Sequence, residues 1–210
     1  MKRPGAGYRV CTLFLAVLLA LGPAGCGNRA GGPKHEPDTP SGRLELLLEA
    51  FIIVDVEGIA EYAGVDNSYV YAQYDPVMFR FLEKLAANTR YKVLEESVDG
   101  DEAAVVVSIT TFSGKNLMED MMSKAMIYAL RNSDNLDGDA FYEEYVQDLN
   151  VKKLSTVTNK VTVALYKSAA GDWMVRADDA LLNALLGGVL EALEDMFGLS
   201  DLWGQPSYTF

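Results

Sequence analysis

Tyr91-Lys92-Val93-Leu94-Glu95-Glu96-Ser97-Val98 runs into Asp99-Gly100, and Ala103-Ala104-Val105-Val106-Val107-Ser108-Ile109-Thr110-Thr111-Phe112 follows. Tyr91, Val93 and Glu95 alternate with Lys92, Leu94 and Glu96, the period-two pattern of a strand with one covered face. Asp99-Gly100 is a tight-hairpin signal, because Gly takes positive φ without a Cβ penalty. The second run is rich in β-branched residues, which suit a pleated, half-buried surface. An antiparallel hairpin of this kind must bury its apolar face against other elements.

The chain upstream offers three amphipathic helices. Leu44, Leu47, Leu48, Phe51 and Val54 recur at helical spacing, with Ser41 as the expected cap. Asp55 opens a second helix through Val56, Ile59, Ala60 and Tyr62, and Gly64 stops it. Asp75-Pro76 opens a third, since Pro at the first helical position has no N–H to lose; Met78, Phe79, Leu82 and Leu85 form its stripe. Downstream, Lys115 to Arg131 and Asp139 to Leu149 read as a helical insertion. A strand from about Lys153 to Lys167 then turns through Ala169-Ala170-Gly171-Asp172 into Trp173-Met174-Val175-Arg176. Asp178 caps a last helix that Gly187-Gly188 interrupts. The expected fold is α+β: N-terminal helices on a curved, cone-like antiparallel sheet, with a helical insertion and a C-terminal helix.

The N-terminus reads as targeting. Lys2, Arg3 and Arg9 precede an apolar run from Val10 to Leu21, and Ala24-Gly25 precede Cys26. The run is shorter than the ~20 residues a spanning helix needs. The ending is that of a lipobox, with Pro23 departing from its usual Leu, so Cys26 is the expected lipidation site. A cleaved signal over 1–25, a Gly/Pro-rich tether over 26–41, one domain over 42–198 and a tail over 199–210 follow. The only other cysteine, Cys11, falls inside the signal, and the only histidine, His35, falls in the tether. A mature chain without a thiol or a domain histidine has no Cys/His or Ser/His/Asp nucleophile and no His/Cys zinc site. The whole chain carries 18 basic and 30 acidic residues; residues 1–25 hold three basic and no acidic ones, which leaves 15 against 30. That surface repels nucleic acid.

The first helix with its Ile53-Val54-Asp55-Val56-Glu57-Gly58 turn, the hairpin above, and the Val161–Lys167 strand with Gly171-Asp172-Trp173 together resemble the nuclear transport factor 2-like superfamily. The lipobox, tether, Asp-Gly turn and Leu185-Leu186-Gly187-Gly188 also resemble a group of uncharacterised Gram-positive lipoproteins. The resemblance implies a cone with an open end and a dimer through the outer sheet face. It implies palmitate-like acyl chains at Cys26, holding the domain at the cell membrane on its extracytoplasmic face.

The expected role is a non-catalytic binding module, without cofactor, for a small apolar ligand or another envelope protein. Tyr62, Tyr91 and Trp173 are the expected lining of the cone mouth. The alternatives are a structural envelope spacer and an isomerase- or dehydratase-type pocket enzyme built on Asp55, Asp75, Tyr62, Tyr71 and Tyr74. Ser133 to Glu144 aligns with a calcium loop through Gly138, but Ser133 replaces the first Asp, and an acidic turn capped by Asp139 is the plainer reading. Met118, Met121, Met122 and Met126 form a soft helical patch that reads as helix core, with an adaptable binding surface as the alternative. A pocket above roughly 300 Å³ would point to a ligand; a filled cone with an exposed apolar face would point to a protein partner.

Overall fold

The computed structural model describes residues 34–64 and 75–197. The signal segment, Cys26, most of the tether, Tyr71, Tyr74 and the 199–210 tail lie outside the described residues.

Helix α1 (Pro40–Ile53) begins two residues before the expected domain start. Thr39, not Ser41, is its cap: Thr39 Oγ1 accepts the Gly42 N–H at 3.1 Å, and Pro40 takes the first helical position. Ser41 is buried inside the helix, its N–H donated to the Glu96 carboxylate at 2.8 Å. Val54 ends α1 at φ 56°, an uncommon conformation for a β-branched residue; its side chain is buried in the core. Asp55 caps α2 (Val56–Ala63) through the Gly58 N–H, and Gly64 ends it at φ 64°. Asp75 caps α3 (Pro76–Ala86) through the N–H groups of Val77 and Met78.

Strands β1 (Arg90–Asp99) and β2 (Glu102–Phe112) form the expected hairpin. Asp99 pairs with Glu102, so the turn residues are Gly100-Asp101 rather than Asp99-Gly100. Gly100 has φ 60° and Asp101 does not share a positive φ, the pattern of a type II′ turn with Gly first. A bulge at Leu94 breaks the alternation and leaves that side chain exposed.

Ser113 caps α4 (Gly114–Arg131), which is followed by α5 (Gly138–Asp148). The cap of α5 is Asp137, not Asp139: its Oδ1 accepts the N–H groups of Asp139 and Ala140. A 3₁₀ turn at Val151–Lys153 delays β3 to Thr156–Lys167. β3 pairs with the whole of β2 and then, through the Ser168–Asp172 loop, with β4 (Trp173–Val175). The sheet order is β1-β2-β3-β4, antiparallel throughout and curved. Asp178 caps α6 (Asp179–Leu185), and α7 (Val189–Phe197) follows the Gly187-Gly188 break.

Two apolar clusters hold these layers. The larger joins α1, α2 and α6 to the covered sheet face, with Val105, Val107, Ile109, Val163 and Leu165 at its centre. The smaller joins Leu85, Phe112, Leu117, Tyr145, Val146, Leu186 and Val189 beneath the helical insertion. The α+β, cone-like class is the observed one.

Candidate functional site

Among the described residues, the side chains of the two clusters fill the interior of the cone. Where the two clusters meet, a cavity of about 10 Å³ remains, lined by Phe51, Val54, Leu82, Leu85, Ala86, Phe112 and Leu186. It offers no polar group and room for about one water molecule, so it stays dry.

Tyr62, Tyr91 and Trp173 do not line this cavity. Trp173 is 7% exposed, packed in the larger cluster, with Lys167 Nζ 5.1 Å above its ring. The Arg43 guanidinium lies 4.8 Å over the Tyr62 ring and 3.7 Å from Glu61. Tyr91 donates its hydroxyl to Glu49 Oε1 at 2.8 Å. All three pack on one core, but each is taken up by its own neighbours. Asp55 and Asp75 are engaged as helix caps.

Glu45 and Glu49 were not legible as site residues. Glu45 is 2% exposed on α1, and Glu49 stands one turn on beside Tyr91. The available signal was a charge set among Leu44, Leu47 and Leu48 on the apolar face.

Burial, then the hydrogen bond to Glu49, holds the Tyr91 phenol far above its usual range. Burial, then Asp75, pushes Tyr142 up to about 12, and burial with Asp120 raises Tyr145. Each phenol is held neutral in the folded chain and ionises near pH 10 once unfolded. The folded state therefore keeps protons that the unfolded state loses, and stability falls as pH rises above about 10. In an ultraviolet phenolate titration of the 11 tyrosines, these three are expected to ionise well above pH 10, after the exposed phenols. A single smooth wave near pH 10 with the fold intact would contradict that environment.

Residues 138–144 of the 133–144 stretch lie in α5. Gly138 already begins α5, whereas a calcium loop needs irregular backbone past its sixth position. Among the described residues no group of three or more His, Cys, Asp or Glu is placed to hold a metal.

The methionine patch divides. Met118 is buried and Met121 packs on the smaller cluster. Met122 and Met126 are exposed, the latter at 67%, in line with Leu130 at 77% and beside Ile127. The spacing i, i+4, i+8 puts Met122, Met126 and Leu130 on one face of α4. α5 covers another face, where Tyr128 meets Phe141 with ring centres 5.4 Å apart. Lys115, one turn before the stripe, pairs with Glu119 at 4.0 Å, while Lys124 pairs with Asp120 and lies over the Tyr145 ring on the side facing α5. The result is an exposed apolar ridge on an acidic protein; Leu136, beyond the helix end, is exposed as well.

No family model matches the chain. No curated protein matches it either. Among solved structures, it is similar to the candidate lipoprotein YcdA of Bacillus subtilis, at 17% identity and a TM-score of 0.43. The match covers 87% of this chain and 55% of that one, so the chain spans about half the length of this neighbour. A likeness this low assigns neither a family nor a role. Among the described residues no helix is long and apolar enough to cross a membrane.

Proposed function

We propose that this is a lipid-anchored extracytoplasmic binding module whose partner is an envelope protein docking on the α4 ridge. The observation that carries the reading is the pairing of a filled interior with an uncovered Met122-Met126-Leu130 stripe. A large apolar ridge is costly to leave in water and marks an interaction surface. Methionines adapt to a partner's shape at little conformational strain. A small apolar ligand finds less support, because the cavity is far below the size of a ligand pocket. An enzyme of the cone type finds less support, because Asp55 and Asp75 serve helix N–H groups. The nuclear transport factor 2-like kinship belongs to this proposal and rests on the order of elements. Anchoring rests on Ala24-Gly25-Cys26 and the preceding apolar run.

Protein purified from its native membrane, after cross-linking, tests both parts. Mass spectrometry is expected to find an acylated Cys26 at the N-terminus; an unmodified secreted chain overturns the anchor. The double substitution Met126→Glu, Leu130→Glu is expected to remove the cross-linked partner. Its thermal stability should stay within about 0.5 kcal/mol of the parent, as for exposed sites. An unchanged partner set overturns the ridge as the docking site. A cross-link to a second copy, retained in the variant, would instead favour pairing through the outer sheet face.

A further inference from the structure

A buried carboxylate must be compensated, and the partners of Glu45 come from outside the domain proper. Its Oε2 accepts the backbone N–H of Lys34 at 2.6 Å and of His35 at 3.0 Å. Its Oε1 lies 3.1 Å from His35 Nδ1. Among the described residues, these are its polar partners. The chain then doubles back. The Glu36 carbonyl accepts both the N–H of Thr39 at 3.0 Å and its hydroxyl at 2.7 Å. Gly42 lies so close beneath that carbonyl that a Cβ there would overlap it. Residues 34–39 are thus strapped over the first turn of α1 by a carboxylate on its second turn.

We propose that Glu45 is a clasp that shortens the tether. This rests on the anchor reading for its purpose, though not for its geometry. With the strap closed, residues 27–33 are what separates a lipid at Cys26 from the domain, a reach of at most about 25 Å. Opening residues 34–39 adds about 20 Å. The clasp uses charge-assisted bonds to backbone N–H groups, which are stronger than neutral ones and independent of the side chain at Lys34. Two standoff distances follow from one tether. Opening strands a buried charge on α1, so the short form is the resting one.

Limited trypsin digestion of the purified full chain reads the strap directly. Lys34 lies inside the clasp and Arg29 outside it, so the ratio of cleavage after Lys34 to cleavage after Arg29 is internally standardised. The parent is expected to be cut slowly after Lys34. Glu45→Gln is expected to raise the ratio about tenfold, the factor for losing one charge-assisted hydrogen bond. Gly42→Ala leaves Glu45 in place but displaces the Glu36 carbonyl, and is expected to raise the ratio as well. Far-ultraviolet circular dichroism confirms that each variant is folded. Equal cutting at the two sites in the parent, or an unchanged ratio in both variants, overturns the clasp. The ratio does not depend on acylation, so failure of the anchor leaves it readable.

Discussion

Gly187→Ala should destabilise the native state severely. Gly187 sits at φ 64°, where an L side chain is strained by about 1 kcal/mol. Its Cβ would also overlap the Phe112 carbonyl oxygen at the end of β2 and approach Gly114 N to 3.2 Å. The backbone cannot move aside cheaply, because the Gly114 N–H donates to the Gly187 carbonyl at 2.7 Å and Ser113 donates to Ser155 at the same distance. Gly114 is equally confined, since a Cβ there would run into the backbone of Val189. Two glycines thus let the α6–α7 break lie directly on the β2–α4 junction. Strain and overlap together should exceed about 4 kcal/mol, a large part of a domain's net stability. Gly100→Ala is the control: its φ is 60°, but nothing lies within 4 Å of the added methyl. It should cost about 1 kcal/mol. Urea unfolding of both variants checks the difference, and a Gly187→Ala midpoint no lower than that of Gly100→Ala would refute the argument.

Phe112→Ala should cost about 4 kcal/mol, within the usual range for an aromatic core truncation. Phe112 is 2% exposed and lines the existing cavity between the two clusters. The void left by its ring would merge with that cavity, so the neighbours would have to collapse on two sides to refill it. The walls are entirely apolar, and such a void stays dry and accepts a small apolar molecule. Benzene is therefore expected to raise the melting temperature of Phe112→Ala and to leave the parent unchanged. A variant that loses under about 1 kcal/mol in urea unfolding, or a parent that responds equally to benzene, would contradict the description of a filled cone.

The elements that were legible in the chain are those set by neighbours within a few residues. Asp55, Asp75 and Asp178 cap their helices as their spacing indicates, because an Asp side chain reaches only the next turn's N–H groups. The hairpin was legible for the same local reason, since Gly100 supplies the positive φ that the turn requires. Where the reading slipped, a neighbouring residue did the capping. Ser41 fits a cap, but Thr39-Pro40 starts α1 two residues earlier, and the Ser41 N–H is donated to Glu96, fifty-five residues away. Asp139 fits a cap, but Asp137 accepts the N–H groups of Asp139 and Ala140. The alternation of β1 gave no warning of the bulge at Leu94, which depends on the register against β2.

Site residues were less legible than elements. Tyr62, Tyr91 and Trp173 have the chemistry of a pocket lining, but Arg43, Glu49 and Lys167 engage them singly. Met122 and Met126 have the spacing of core residues, as Met118 and Met121 do. Periodicity shows that a helix has an apolar face without showing how wide a face its neighbours cover.

The sequence by itself determined the α+β class, the strand pairing of the hairpin, the Asp caps of α2, α3 and α6, the acidic balance and the restriction of cysteine to residues 11 and 26. Each follows from residue type and short-range spacing. Only the tertiary structure decided that the cone is filled, that the outer half of the α4 stripe stays uncovered and that Glu45 is closed by the strap. Those outcomes depend on which surfaces meet across the chain, and side-chain volume and charge compensation are properties of that meeting rather than of any one segment.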